Sequence, residues 1–103
     1  ITTASLIHTS SSMGAYPHSL FLKPDGTKLF STDSSGDRIK QWNLTTPFDV
    51  STVTITATDQ LLVGSSYLPQ VGENNPSALY IKDDGTGVYM AGAGGNQLVQ
   101  FDL

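Results

Sequence analysis

Apolar residues in this chain fall in short bursts separated by Gly, Pro, Asp and Ser, and nowhere do they keep a helical period over ten or more residues. Short runs and period-two alternation are the pattern of strands. The opening ITTASLIH is β-branched and predicts a strand over 3–8, followed by a Ser-rich loop from Thr9 to Gly14. An apolar strand is expected over 19–23, and a return strand over 28–32. Between them lies Pro24-Asp25-Gly26-Thr27. Pro sets φ for the first turn position, Asp bonds its own backbone and Gly accepts positive φ, so the pair is a hairpin. A second turn is read over 33–37, a third strand over 38–44 and a Pro-bearing connection over 45–49. VSTVTITAT, 50–58, alternates, with Val53, Ile55 and Ala57 on one side and threonines on the other, and predicts another strand. Residues 59–75 have no period and read as a long surface loop.

The pattern repeats. Residues 17–44 and 76–103 align at a constant offset of 59 without a gap. The identities are Pro17/Pro76, Leu20/Leu79, Lys23/Lys82, the Asp-Gly-Thr turns, Gly36/Gly95, Gln41/Gln100 and Leu44/Leu103. Phe21 pairs with Tyr80, Phe30 with Tyr89, Ile39 with Leu98 and Trp42 with Phe101. A repeat of this length makes the architecture a repeat architecture. If Ile1 answers to Val50, the chain divides into two units, 1–49 and 50–103, each with four strands. The fold class is all-β.

Composition narrows the function. Only 14% of residues are charged, with a net charge of −4 and five scattered basic residues. A nucleic-acid partner needs Lys and Arg gathered on one face, so none is expected. No apolar run approaches the length of a membrane span, and no membrane partner is expected. The absence of cysteine excludes disulfides, thiol catalysis and thiolate-bound metals.

Four short strands in meander order, recurring every fifty residues or so, are the pattern of propeller blades. The strings PHSLFLKPDGTKLF and DRIKQWNLTTPFDVST resemble the β-propeller repeats of phage tail, virion and secreted proteins, and those of lactonase-like, YVTN-type propellers. The resemblance covers nearly the whole chain except 59–75. It implies two four-stranded antiparallel blades, with strands 19–23 and 78–82 lining a central channel and the β-branched strands outermost. It also implies an extracellular or virion-associated setting. Two blades do not close a ring. The expectation is therefore either a fragment completed by the remaining blades of a longer chain, or a protomer that closes as a homo-oligomer such as a trimer.

The chemistry is sparse. In such a unit alternate turns lie at opposite ends. One end carries the Asp-Gly turns. The other carries Tyr16, His18, Asp33, Asp37, Tyr67, Glu73, Asn74, Asn75 and Asn96, a mixture of aromatic, carboxylate and amide groups suited to a glycan. These nine are the candidate ligand-binding residues, weighed against their being ordinary solvated loop residues. Trp42 is expected to pack between blades rather than to serve as a sugar platform. Asp25 and Asp84 lack a calcium-loop spacing and are explained by their turns. Asp33 and Asp37 have no carboxylate counterparts in the second copy, so no metal and no cofactor is expected. His8 and His18 are the only histidines. The reading is a non-enzymatic binding or assembly module with carbohydrate as the leading ligand class. The alternative is a piece of a lactonase-like propeller hydrolase whose catalytic residues lie in missing blades.

Overall fold

A computed structural model describes residues 3–10, 17–54, 59–63 and 75–103. They form two antiparallel sheets and almost no helix. The first sheet has the order β1 (Pro17–Leu22), β2 (Lys28–Asp33), β3 (Arg38–Asn43), β4 (Asp59–Leu62). The second has the order β5 (Pro76–Ile81), β6 (Gly87–Gly92), β7 (Leu98–Asp102). Both are simple meanders and the all-β class holds, but among the described residues the second sheet has three strands where four were expected.

The 59-residue offset reappears in the geometry. Pro17 pairs with Asp33 and Pro76 with Gly92, each followed by a register shift on the first strand. At the hairpin, Lys23 N donates to Lys28 O at 2.9 Å, and Lys82 N to Gly87 O at 2.9 Å. Gly26 and Gly85 sit at φ +74° and +73°, where an L side chain is strained. Asp25 Oδ1 accepts from Thr27 N and Oγ1 at 3.0 and 2.6 Å, and Asp84 Oδ1 from Thr86 N and Oγ1 at 2.9 and 2.6 Å. The shared Asp-Gly-Thr is thus a turn device in which each residue has one task.

Two expected strands are corrected. Residues 3–10 belong to no strand. In the 50–58 stretch, Val50–Thr52 form a single 3-10 turn and Val53 makes one isolated bridge to Leu44. The reason is local. Asp49 Oδ1 accepts from Ser51 N and Oγ at 2.9 and 2.6 Å, and Thr52 Oγ1 donates to Asp49 O at 2.8 Å. These short-range bonds satisfy the backbone before a ladder can form. The rest of that expected strand, 55–58, lies outside the described residues. The fourth strand of the first sheet is instead β4, inside the stretch read as a loop. It pairs Ile39 with Leu61 and Lys40 with Gln60.

Each sheet has two faces, set by the period-two alternation. The front of the first sheet carries Leu20, Leu22, Leu29, Ser31, Lys40 and Trp42; its back carries Phe21, Phe30, Thr32, Ile39 and Leu61. The second sheet repeats this with Leu79, Ile81, Val88, Met90, Val99 and Phe101 in front, and Tyr80, Tyr89, Leu98 and Gln100 behind. The main core lies between the back of the first sheet and the front of the second. Buried Ile39, Val63, Ile81, Val88 and Met90 are flanked there by Phe21, Phe30, Leu61, Leu79, Val99 and Phe101. The sheets therefore stack front to back. β1 and β5 meet along one edge, where the Phe21 and Tyr80 rings stand 5.5 Å apart, edge to face.

A second cluster covers the front of the first sheet. Trp42, fully buried, packs with Leu29, Leu44 and Val53, and Leu22 and Val50 close around it. The expected core role of Trp42 is correct, but its neighbours are not the second sheet. The 44–53 segment folds over it instead.

Candidate functional site

Antiparallel meanders put the 33–37 turn, the start of β5 and the 92–97 turn at one end of the molecule. Three non-glycine residues there adopt positive φ: Asp37 (48°), Asn75 (54°) and Asn96 (56°). Asn and Asp tolerate this region better than other residues. Asp37 Oδ1 accepts from Asn75 N at 2.9 Å, and Ala93 N donates to Asn75 O at 3.3 Å. Asp37 thus ties the first sheet's turn to the residue that leads into β5. Val63 N also donates to Asp37 O, at 2.8 Å. Asn75 and Asn96 are exposed, and Asp37 is half-buried.

Asp33 has a different role. It is 3% exposed. Its Oδ1 accepts from Ser35 N and Oγ at 3.0 and 2.7 Å, and its Oδ2 pairs with Lys40 Nζ at 2.8 Å. Burial pushes its carboxyl up, but the bonds from Lys40 and Ser35 outweigh it and hold the group below the usual carboxylate range. Its carboxylate is committed to the fold, unlike those of open loop residues. The neighbouring Arg38 guanidinium reaches Gln60 Oε1 at 3.4 Å.

His18 is exposed near the start of β1, next to Pro17, which pairs with Asp33. It lines a cavity of about 440 Å³ on the front of the first sheet, with Leu20, Leu29, Ser31, Val50 and Val53. The structure therefore joins Asp37 to Asn75 and carries Asn96, His18 and Asp33 at the same end, with His18 lining the front-face cavity and the Asp33 carboxylate bound to Ser35 and Lys40. Tyr16, Tyr67, Glu73 and Asn74 lie outside the described residues.

The opposite end holds the two Asp-Gly turns. A cleft of about 340 Å³ opens between them, lined by Lys23, Lys28, Lys82, Asp83 and Asp84 among others. Two of these lysines are already paired, Lys23 with Asp25 at 2.7 Å and Lys82 with Asp84 at 3.6 Å. The bond from Lys23, aided by Thr27, holds the Asp25 carboxyl far below its ordinary range. The Thr86 hydroxyl and amide also lower the Asp84 carboxyl. The Ser51 hydroxyl likewise lowers Asp49. These carboxylates are acceptors locked in the ionised form.

Sequence reasoning missed the front-face cavity and its polar atom. Ser31 Oγ is buried and has no hydrogen-bond partner, and neither has Trp42 Nε1. The signal was present in the repeat, because Ser31 stands where the second copy has Met90. Among the described residues no three His, Asp or Glu side chains are grouped to hold a metal, and no helix is long and apolar enough to cross a membrane. No protein-family model and no curated protein sequence matches this chain.

Proposed function

We propose that this chain is a non-enzymatic binding or assembly module built from β-propeller blade repeats, working in an extracellular or virion-associated protein. The observation that carries this reading is the front-to-back stacking of two repeat-equivalent sheets. Propeller blades cover one another in this way around an axis. The edge contact of Phe21 with Tyr80 agrees with β1 and β5 lying innermost. The described Asp-x-Ser/Thr carboxylates serve turns and are held ionised, so they are poor proton donors for acid catalysis.

Carbohydrate is the ligand class we assign to the end that carries Asp37, Asn75 and Asn96. Exposed amides and a fixed carboxylate offer the paired donors and acceptors that sugar hydroxyls use. The test is a glycan array with the 103-residue chain, repeated with Asn96→Ala and Asp37→Ala. Binding of a defined glycan that weakens at least tenfold in Asn96→Ala supports the reading. Binding by no form of the chain overturns the glycan assignment, and metal-dependent ester hydrolysis overturns the non-enzymatic one.

A further inference from the structure

Two surfaces of the same kind as those in the core are left open: the back of the second sheet, and the part of the first sheet's front around Leu20 that the 44–53 segment over Trp42 leaves uncovered. Ile39, on the back of the first sheet, is 4% exposed because the second sheet covers it. Its repeat counterpart on the back of the second sheet, Leu98, is 78% exposed. Leu79, on the front of the second sheet, is half-buried against the core, whereas its counterpart Leu20 on the front of the first is 64% exposed. The back of the second sheet thus has the shape of a surface that, one repeat earlier, receives a front face. The Leu20 side of the first sheet's front holds the place of a surface that, one repeat later, covers a back.

The substitutions between the copies fall on these faces in a consistent direction. The closed contact joins Phe21 and Phe30 to a front bearing Met90 and Val99. The back of the second sheet has Tyr80 and Tyr89 at the phenylalanine positions; at the Met90 and Val99 positions the front of the first has Ser31, buried but lining the cavity, and Lys40, paired with Asp33. Both faces gain polar groups, and both keep their apolar bodies. Tyrosine suits a surface that is wet when free and dry when docked. On the front, the cavity beside Leu20 and Leu29 contains the unpaired Ser31 hydroxyl. A buried hydroxyl without a partner is costly, and an arriving phenol is a group that relieves it.

We infer that the back of the second sheet, centred on Tyr80, Tyr89 and Leu98, docks onto the front of the first sheet of a second copy of this chain, filling the cavity lined by Leu20, Leu29 and Ser31. The contact joins between copies the same two kinds of face that the sheets join within one copy, on the part of the front that the 44–53 segment leaves free. It joins unlike faces, so it is head-to-tail and propagates until the copies close a ring. This deepens the assembly part of the proposed function and is independent of its glycan part.

Because the faces differ, each can be blocked alone. Leu98→Glu blocks the back and Leu20→Glu blocks the front. Both side chains are largely exposed, so neither change enters the core. Sedimentation velocity is run on the whole chain and both variants, with circular dichroism confirming their strands; Leu98→Ser and Leu20→Ser replace any variant that loses them. The wild type is expected to sediment above its 10.9 kDa protomer mass as concentration rises, and each variant to stay at that mass. An equimolar mixture of the two variants retains one good front and one good back, and is expected to give a species of twice the protomer mass. A wild type that remains monomeric at millimolar concentration overturns the proposal and leaves these faces to a different occupant. An associating wild type whose mixed variants stay monomeric overturns it too, because the contact is then not front to back. Self-association without glycan binding sinks only the ligand assignment, and glycan binding by a strict monomer sinks only this one.

Discussion

Ile39 and Leu98 hold the same place in two copies of one repeat, on the back faces of the first and second sheets. One is sealed in the core and the other stands in solvent. Both are aliphatic and sit at the same register position of equivalent strands, so the difference comes from what lies against each face. A repeat specifies strands, turns and which side chains share a face. Burial then depends on the neighbour, as in any stacked architecture. Comparing the copies position by position therefore separates what the fold requires, such as Asp-Gly-Thr, from what each location requires, such as Met90 against Ser31.

The comparison can be broken most forcefully at Trp42. Trp42→Ala is expected to cost about 4 kcal/mol by chemical denaturation, because it empties the cluster with Leu29, Leu44 and Val53. Phe101→Ala, its half-buried counterpart, should cost about half as much. Equal losses would mean that the two sites are packed alike. Next comes the back-face pair. Ile39→Ala should lose about 3 kcal/mol, while Leu98→Ala in the dilute monomer should change stability by less than about 0.5 kcal/mol.

A third contrast is electrostatic. Asp33 is buried and paired with Lys40, whereas the second copy has Gly92 and Val99 there. Asp33→Asn should cost about 2 kcal/mol near neutral pH. The folded protein lowers this carboxyl's pKa, so its stabilisation is present above the unfolded value and is lost as pH falls through the folded one. Thermal midpoints of wild type and Asp33→Asn should accordingly differ at pH 7 and converge in acid. A constant offset down to pH 2 would refute the assignment. The smallest effect separates the two turn glycines. Both have positive φ, so Ala at either should cost about 1 kcal/mol of backbone strain. At Gly26 the new methyl also meets the Phe48 ring 2.5 Å away, and at Gly85 nothing lies within 4 Å. Gly26→Ala should be the more damaging, and the excess should vanish in a Phe48→Ala background.

Much of the fold was readable from the sequence where turns set the register. Asp25-Gly26-Thr27 and its copy located both hairpins, and Trp42 was placed in the core. The 50–54 segment misled because its Thr and Val alternation is genuine, while the Asp49–Ser51 and Thr46–Thr52 side-chain bonds that override it are three-dimensional. β4 was missed because a four-residue strand carries too little period to show, and its partner β3 supplies the register. Of the candidate site, the Asp37–Asn75 contact joins residues far apart in sequence and has no local signature. Asp33 reads as a loop carboxylate in the sequence because Lys40, its partner, lies on the far side of the 33–37 turn.

The front-to-back stacking on which both proposals rest can be tested directly, because the chain has no cysteine and one introduced thiol is a clean probe. Ile39→Cys and Leu98→Cys are labelled with a soluble maleimide in native buffer, at concentrations low enough for single protomers. Leu98→Cys should react at the rate of an unfolded peptide, and Ile39→Cys roughly a hundredfold more slowly, protected until the sheets open. Equal labelling rates at the two positions would contradict the stacking and the account built on it.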